Sequence, residues 1–253
     1  MIKYGVKLWS NNSAIFFQQA VRLIDGGEID FVELYVHPEM TDLENLAMFK
    51  NKKITIHSTH HEHGFDIFNL DEASQSYFRD KVIKAADFFG SEFIILHSGT
   101  GDSKEIFKEN LEKISDSRII IENLPKISLD NKLFFGYSLD QLKWIKKNCD
   151  ARFCLDFSHA VKSAKSQDID YKEFIDNLFN IMNPAYFHIC DGFTGSEIDE
   201  HLDLGAGNQD LSWIKNKLVG ISREQDINLV FEAPKNADNL DNDIKNINYF
   251  KNL

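Results

Sequence analysis

Short runs of apolar residues recur along the chain, separated by longer stretches in which apolar residues return every three or four positions. The runs occupy residues 4–8, 31–36, 54–56, 93–96, 119–121, 153–155, 186–189 and 229–231. The stretches between them predict helices near 14–24, 43–49, 72–89, 103–114, 138–148, 171–181, 211–219 and 238–250. Runs that are apolar at nearly every position suit strands buried on both faces, and strand–helix alternation implies a parallel sheet. Eight such units predict an α/β fold of the (β/α)₈ barrel type, and a doubly wound open sheet is the alternative. Ser103 before Lys-Glu-Ile-Phe and Ser138 before Leu-Asp-Gln-Leu are placed as helix N-caps.

The 253 residues match the usual size of one such barrel, about 250. Neither a composition shift nor a Pro/Gly-rich linker marks a second domain, so one domain is expected over 1–253. A hydrophobic fraction of 43% and a charged fraction of 27% fit a globular protein. No apolar run reaches the ~20 residues of a membrane span or the pattern of a signal peptide, so a cytoplasmic protein with no membrane partner is expected. Cys149, Cys154 and Cys190 have no disulfide or Cys-x-x-Cys spacing and read as free thiols. The formal charge of -12 argues against broad contact with nucleic acid or anionic lipid, which requires Lys and Arg.

The residues that end or follow the later runs carry the chemistry. The third and fourth runs are followed by His57 and His97, and the fifth by Glu122. The sixth leads to Asp156 and His159, the seventh contains His188, and the eighth leads to Glu232. In a parallel barrel all these positions meet at the C-terminal mouth. Each alone reads as a solvated or helix-capping polar group. Together, imidazoles and carboxylates in one half-buried place call for cations, and divalent metal satisfies them. Asp199-x-His201 adds a close pair of the same type. Gly205 and Gly207, before the helix at Leu211, could form a phosphate-binding nest. His60, His61 and His63 read as a polar loop, and Trp144 and Trp213 as barrel-to-helix packing.

His57, His97, Glu122-Asn123, Asp156-x-x-His159, His188-x-x-Asp191, Asp199-x-His201 with Leu204-Gly205-x-Gly207-Asn208, and Glu232 together resemble the endonuclease IV branch of the xylose-isomerase-like TIM barrels. The resemblance runs from the third strand to the eighth. It implies up to three zinc ions, with manganese or iron as substitutes. By that pattern His57, His97 and Glu122 hold one ion, and Glu122 bridges to a second completed by Asp156, His188 and Glu232. His159, Asp199 and His201 hold the third. The implied activity is metal-assisted phosphoester hydrolysis, with Glu122 and Glu232 as catalytic residues.

The chain departs from that branch where DNA would be read. The second loop, His37-Pro-Glu-Met-Thr-Asp, has no Arg or Gln, and Ser58-Thr59-His60-His61-Glu62-His63-Gly64 stands where a duplex-entering tyrosine would be. From His57 to Phe78 and from His188 to Ile214 there is no Lys or Arg; Lys126, Lys132, Lys162 and Lys165 are the cations left near the mouth. A small phosphorylated or sugar-like substrate is therefore expected over abasic DNA. The alternatives are a sugar or sugar-phosphate isomerase or epimerase, using Glu122, Asp156, His188 and Glu232 around one metal, and a non-catalytic metal-binding barrel.

Overall fold

The structure is a computed structural model that describes residues 1–40, 43–235 and 239–253. Its strands are β1 (Ile2–Trp9), β2 (Phe31–Val36), β3 (Ile54–Ser58), β4 (Ile94–His97), β5 (Ile119–Glu122), β6 (Arg152–Asp156), β7 (Tyr186–Ile189) and β8 (Ile227–Phe231). They pair in parallel in sequence order, and β8 returns to β1 to close the barrel. The expected (β/α)₈ architecture is present, and the open-sheet alternative is excluded.

The helices are α1 (Ala14–Asp25), α2 (Glu72–Tyr77), α3 (Lys84–Phe89), α4 (Lys104–Lys113), α5 (Leu139–Cys149), α6 (Phe157–Ser166), α7 (Tyr171–Met182), α8 (Leu211–Ile221) and α9 (Asp241–Lys251). Ser103 accepts from the Ile106 N–H, and Ser138 with Gln141 forms a capping box. The stretch expected at 43–49 is a 3₁₀ helix, Glu44–Phe49. The single helix expected at 72–89 is α2 and α3 joined through a π-helical segment, Phe78–Ile83. α6 was not expected: it starts at once after β6, with Asp156 as its N-cap accepting from the His159 N–H at 2.6 Å. α9 begins at Asp241, and the Asp238 at which a helix was expected lies outside the described residues.

Alternation along each strand divides the buried residues into two sets. Val32, Leu34, Ile54, Ile56, Leu96, Leu155, Phe187 and Leu229 pack with helix residues such as Phe17, Leu142 and Ile214 in one large core between barrel and helices. Phe31, Ile95, Ile120, Cys154, Tyr186 and Val230 form a second cluster made of strand residues alone, which fills the barrel interior. Two residues further along the same inward rows stand Glu33, His97, Glu122, Asp156, His188 and Glu232. The apolar plug thus forms the floor on which the polar mouth is built.

Gly5 is required by that plug. A Cβ there would lie 2.5 Å from Phe31 Cζ and 2.6 Å from Cε2, and the Phe31 ring has no room to withdraw because it is fully buried. Gly5→Ala should lower unfolding free energy in urea by about 1–3 kcal/mol, the usual cost of overpacking. Unchanged stability would show that the plug can repack.

Candidate metal centre

Register places the chemistry in rungs. Lys7 pairs with Glu33, Tyr35 with His57, His97 with Glu122 and Asp156 with His188, all toward the C-terminal ends of the strands. Glu122 lies at the centre of the group. Its Oε2 is 3.2 Å from His57 Nε2 and 3.2 Å from His97 Nε2. Its Oε1 is 3.1 Å from His188 Nδ1 and 3.3 Å from His159 Nδ1. His188 Nδ1 also lies 2.9 Å from Glu232 and 4.0 Å from Asp156. On the far side Asp199 Oδ2 is 3.3 Å from His159 Nε2 and 2.5 Å from His201 Nε2. All nine residues singled out in the sequence therefore come together. His57, His97 and Glu122, and likewise His159, Asp199 and His201, have donor atoms close enough to hold an ion. His201 reaches its place with a left-handed backbone, φ 49°, a conformation disfavoured for a residue with a Cβ.

The rings are oriented from behind. His57 Nδ1 donates to the Ser58 carbonyl at 2.6 Å, His159 Nδ1 to the Asn123 carbonyl at 2.9 Å, and His201 Nδ1 to the Glu232 carbonyl at 3.1 Å. Each bond fixes one nitrogen as a donor and turns Nε2 toward the carboxylates, as in histidines that ligate metal. The fit to cations is also electrostatic. Asp156 Oδ2 is buried with no hydrogen-bond donor among the described residues. Burial, aided by the charges of Glu122 and Glu232, pushes the Asp156 carboxyl up to about 7. Against the cost of burial, His188 and His97 hold Glu122 well below the carboxylate range, and Lys7 and His188 do the same for Glu232. Against the same cost, Asp156 raises His159 and Asp199 raises His201 to about 9. Protons and imidazolium charge thus balance carboxylates that a divalent ion would balance better.

Two residues of the site were missed in the sequence. Glu33 is fully buried on β2; its Oε2 accepts from His188 Nε2 at 2.8 Å and from the Tyr186 hydroxyl at 2.8 Å. Lys7 on β1 places its Nζ 2.5 Å from Glu232 Oε1 and 3.4 Å from Glu33 Oε1. The signal was available: Gly5-x-Lys7-x-Trp9 and Phe31-x-Glu33-x-Tyr35 put a charge on the inward row of an otherwise buried strand.

Three expectations need correction. The nest of Gly205 and Gly207 is filled by the chain's own Asp191, whose carboxylate accepts from the N–H groups of Gly192, Gly205, Gly207 and Gln209 at 2.8–3.3 Å. Lys162 is buried and ion-paired with Glu200, and Lys132 pairs with Asp130 at 2.8 Å, so neither is a free cation at the mouth. The histidines after β3 are packed: His60 stacks on His97 at 5.4 Å, His63 accepts from or donates to the Tyr35 hydroxyl at 2.6 Å, and His61 meets Asp130 at 3.0 Å. Trp144 and Trp213 pack against the helix-side core, as expected. Of the second loop, Thr41 and Asp42 lie outside the described residues. Above the site a cavity of about 430 Å³ is lined by Lys7, Trp9, Tyr35, His60, His201 and Glu232 among others.

Residues 19–252 match the model of the xylose isomerase-like TIM barrel family, and the chain belongs to that family. No curated protein matches the sequence significantly. Among solved structures, endonuclease IV from Thermus thermophilus is similar over 99% of this chain and 98% of its own, with a TM-score of 0.74 at 18% identity. The 3-keto-D-glucoside 4-epimerase of E. coli is similar over 100% of both chains, with a TM-score of 0.70 at 14% identity. A D-tagatose 3-epimerase-like protein is similar over 99% of this chain and 96% of its own, with a TM-score of 0.68 at 18% identity. At these identities the likeness establishes the fold, which serves both DNA-directed and sugar-directed enzymes. No described helix is long and apolar enough to cross a membrane.

Metal uptake should release protons, because Asp156 and His201 must be deprotonated to ligate. Affinity for zinc should therefore rise with pH through the window from about 7 to about 9. Chelator competition across that range is the check; a flat profile would contradict the protonated state assigned to the metal-free cluster.

Proposed function

We propose that this chain is a divalent-metal-dependent phosphoester hydrolase of the endonuclease IV type, with a multinuclear centre, acting on a small phosphorylated compound rather than on abasic DNA. One observation carries this reading: Glu122 has one oxygen facing His57 and His97 and the other facing His188, so that it could serve two ions. His57, His97 and Glu122 would hold one ion; Glu122, Asp156, His188 and Glu232 a second; His159, Asp199 and His201 a third. Zinc suits this set of imidazole and carboxylate, and manganese or iron are the substitutes.

Ions bound there supply Lewis-acid polarisation of a phosphoryl oxygen and activation of a water for attack. The protein's own groups do the rest. Glu122 and Glu232 are the catalytic carboxylates, set at the reacting centre by the ends of β5 and β8. Lys7 steadies Glu232 from the cavity floor. Trp9, Tyr35 and His60 wall the cavity, so that a bound substrate is desolvated against them.

The size of the substrate follows from charge and space. A duplex needs several cationic contacts to its backbone, and of Lys126, Lys132, Lys162 and Lys165 two, Lys132 and Lys162, are already paired. A cavity of about 430 Å³ accommodates a compound of sugar-phosphate size. The same cavity favours a second reading, a sugar isomerase or epimerase in which Glu122, Asp156, His188 and Glu232 hold one metal and the two glutamates move a proton. His57, His97, His159, Asp199 and His201 have no task in that reaction, which is why the hydrolase is preferred.

Zinc- or manganese-loaded protein should hydrolyse small phosphoesters, and Glu122→Gln should lose more rate than His201→Ala, since it removes a ligand of two ions. Binding to abasic duplex should be weak, with a slope of log affinity against log salt no steeper than about −2, equivalent to roughly two phosphate contacts. Sugar epimerisation without phosphoester hydrolysis would overturn the assignment. Tight binding with a steep salt slope and efficient incision would restore DNA as the substrate.

A further inference from the structure

Among the histidines of the site whose outer nitrogen is bonded, His188 is held in the opposite sense from the others. His57, His159 and His201 each give Nδ1–H to a backbone carbonyl and present Nε2 to the centre. His188 presents Nδ1 to Glu122, Glu232 and Asp156, and its Nε2 meets not a carbonyl but the carboxylate of Glu33, 2.8 Å away. β7 and β2 are not neighbours in the barrel, so this bond crosses the interior. Glu33 is itself fixed: Tyr186 donates to it at 2.8 Å while accepting from Thr55 at 2.6 Å, and Lys7 lies 3.4 Å from its other oxygen.

We infer that Glu33 is a positioning residue for His188, locking its ring so that Nδ1 serves as the metal ligand. A carboxylate behind a ligating imidazole does more than a carbonyl, because its charge also raises the basicity of the ligating nitrogen. The ion that His188 shares with Asp156 and Glu232 therefore depends on Glu33, whereas the group formed by His159, Asp199 and His201 does not. This role rests on the metal-centre reading above, and the experiment separates the two.

Zinc affinity should be resolved per equivalent by chelator competition in wild type, Glu33→Ala and Glu33→Gln, together with the imidazole N–H resonances of the zinc-loaded proteins. Glu33→Ala should weaken one equivalent by about 10- to 100-fold, the usual range for such a partner, and leave the others near wild type. The protected His188 Nε2–H resonance of the wild type should disappear in that variant. Glu33→Gln, whose amide oxygen still accepts from Nε2, should lose less and keep the resonance, which also carries the test should the alanine variant fail to fold. Wild-type affinity for every equivalent in both variants would overturn the role. So would a loss in Glu33→Gln as large as in Glu33→Ala, because Glu33 would then be a ligand itself. A wild-type protein that takes up no zinc would instead overturn the proposed metal centre.

Discussion

Glu33, Glu122, Asp156, Asp199 and Glu232 converge at the mouth of this barrel, and the ammonium of Lys7 contacts only two of them. This excess of buried negative charge is the constraint from which the rest of the site follows. Carboxylates taken out of water must be paired, protonated or ligated, since each left alone costs several kcal/mol. Without an ion the balance is met by raised imidazoles and by an Asp156 carboxyl shifted up to about 7. That is an expensive compromise, and it explains why the rings are so firmly held from behind: the scaffold must keep like charges together before any cation arrives.

The fold meets the cost by separating tasks along each strand. Outward residues bind the helices, and the lower inward residues, Phe31, Ile95, Ile120, Cys154, Tyr186 and Val230, make a dry plug. Two residues further up, the same rows carry the ligand set. A one-residue slip in any strand would exchange core for site, so the large helix-side core fixes the register on which the chemistry depends. Asp191 plays a related part after β7. By filling the turn around Gly205 and Gly207 it anchors the loop that brings Asp199 and His201 over the mouth, and it thereby removes that turn as a phosphate site.

Much of this was legible in the sequence. Apolar runs alternating with helical stretches specify a parallel sheet with helices, though not its closure, and the shared location of strand ends specifies where polar residues meet. His57, His97, Glu122, Asp156, His188 and Glu232 were visible because each interrupts or terminates an apolar run. Glu33 and Lys7 were overlooked because they lie inside the apolar runs of β2 and β1 rather than at the run ends, where the other site residues stand. α6 escaped because its first residue follows the strand directly, with Asp156 serving both as strand end and as helix cap. The packing of His60 and His63 against His97 and Tyr35 depends on how the loop after β3 folds back, which periodicity does not encode.

Solved structures similar to this chain include an endonuclease and sugar epimerases, so the proposed function turns on how many ions the mouth can hold. The proposed multinuclear centre rests on Glu122 facing imidazoles with both of its oxygens. Anomalous diffraction at the zinc edge from crystals of the zinc-loaded protein tests that most directly. The predicted result is a peak on each side of Glu122, with its two oxygens on different ions, and a further peak among His159, Asp199 and His201. A single peak among Asp156, His188 and Glu232, with His57 and His97 making no metal contact, would contradict it.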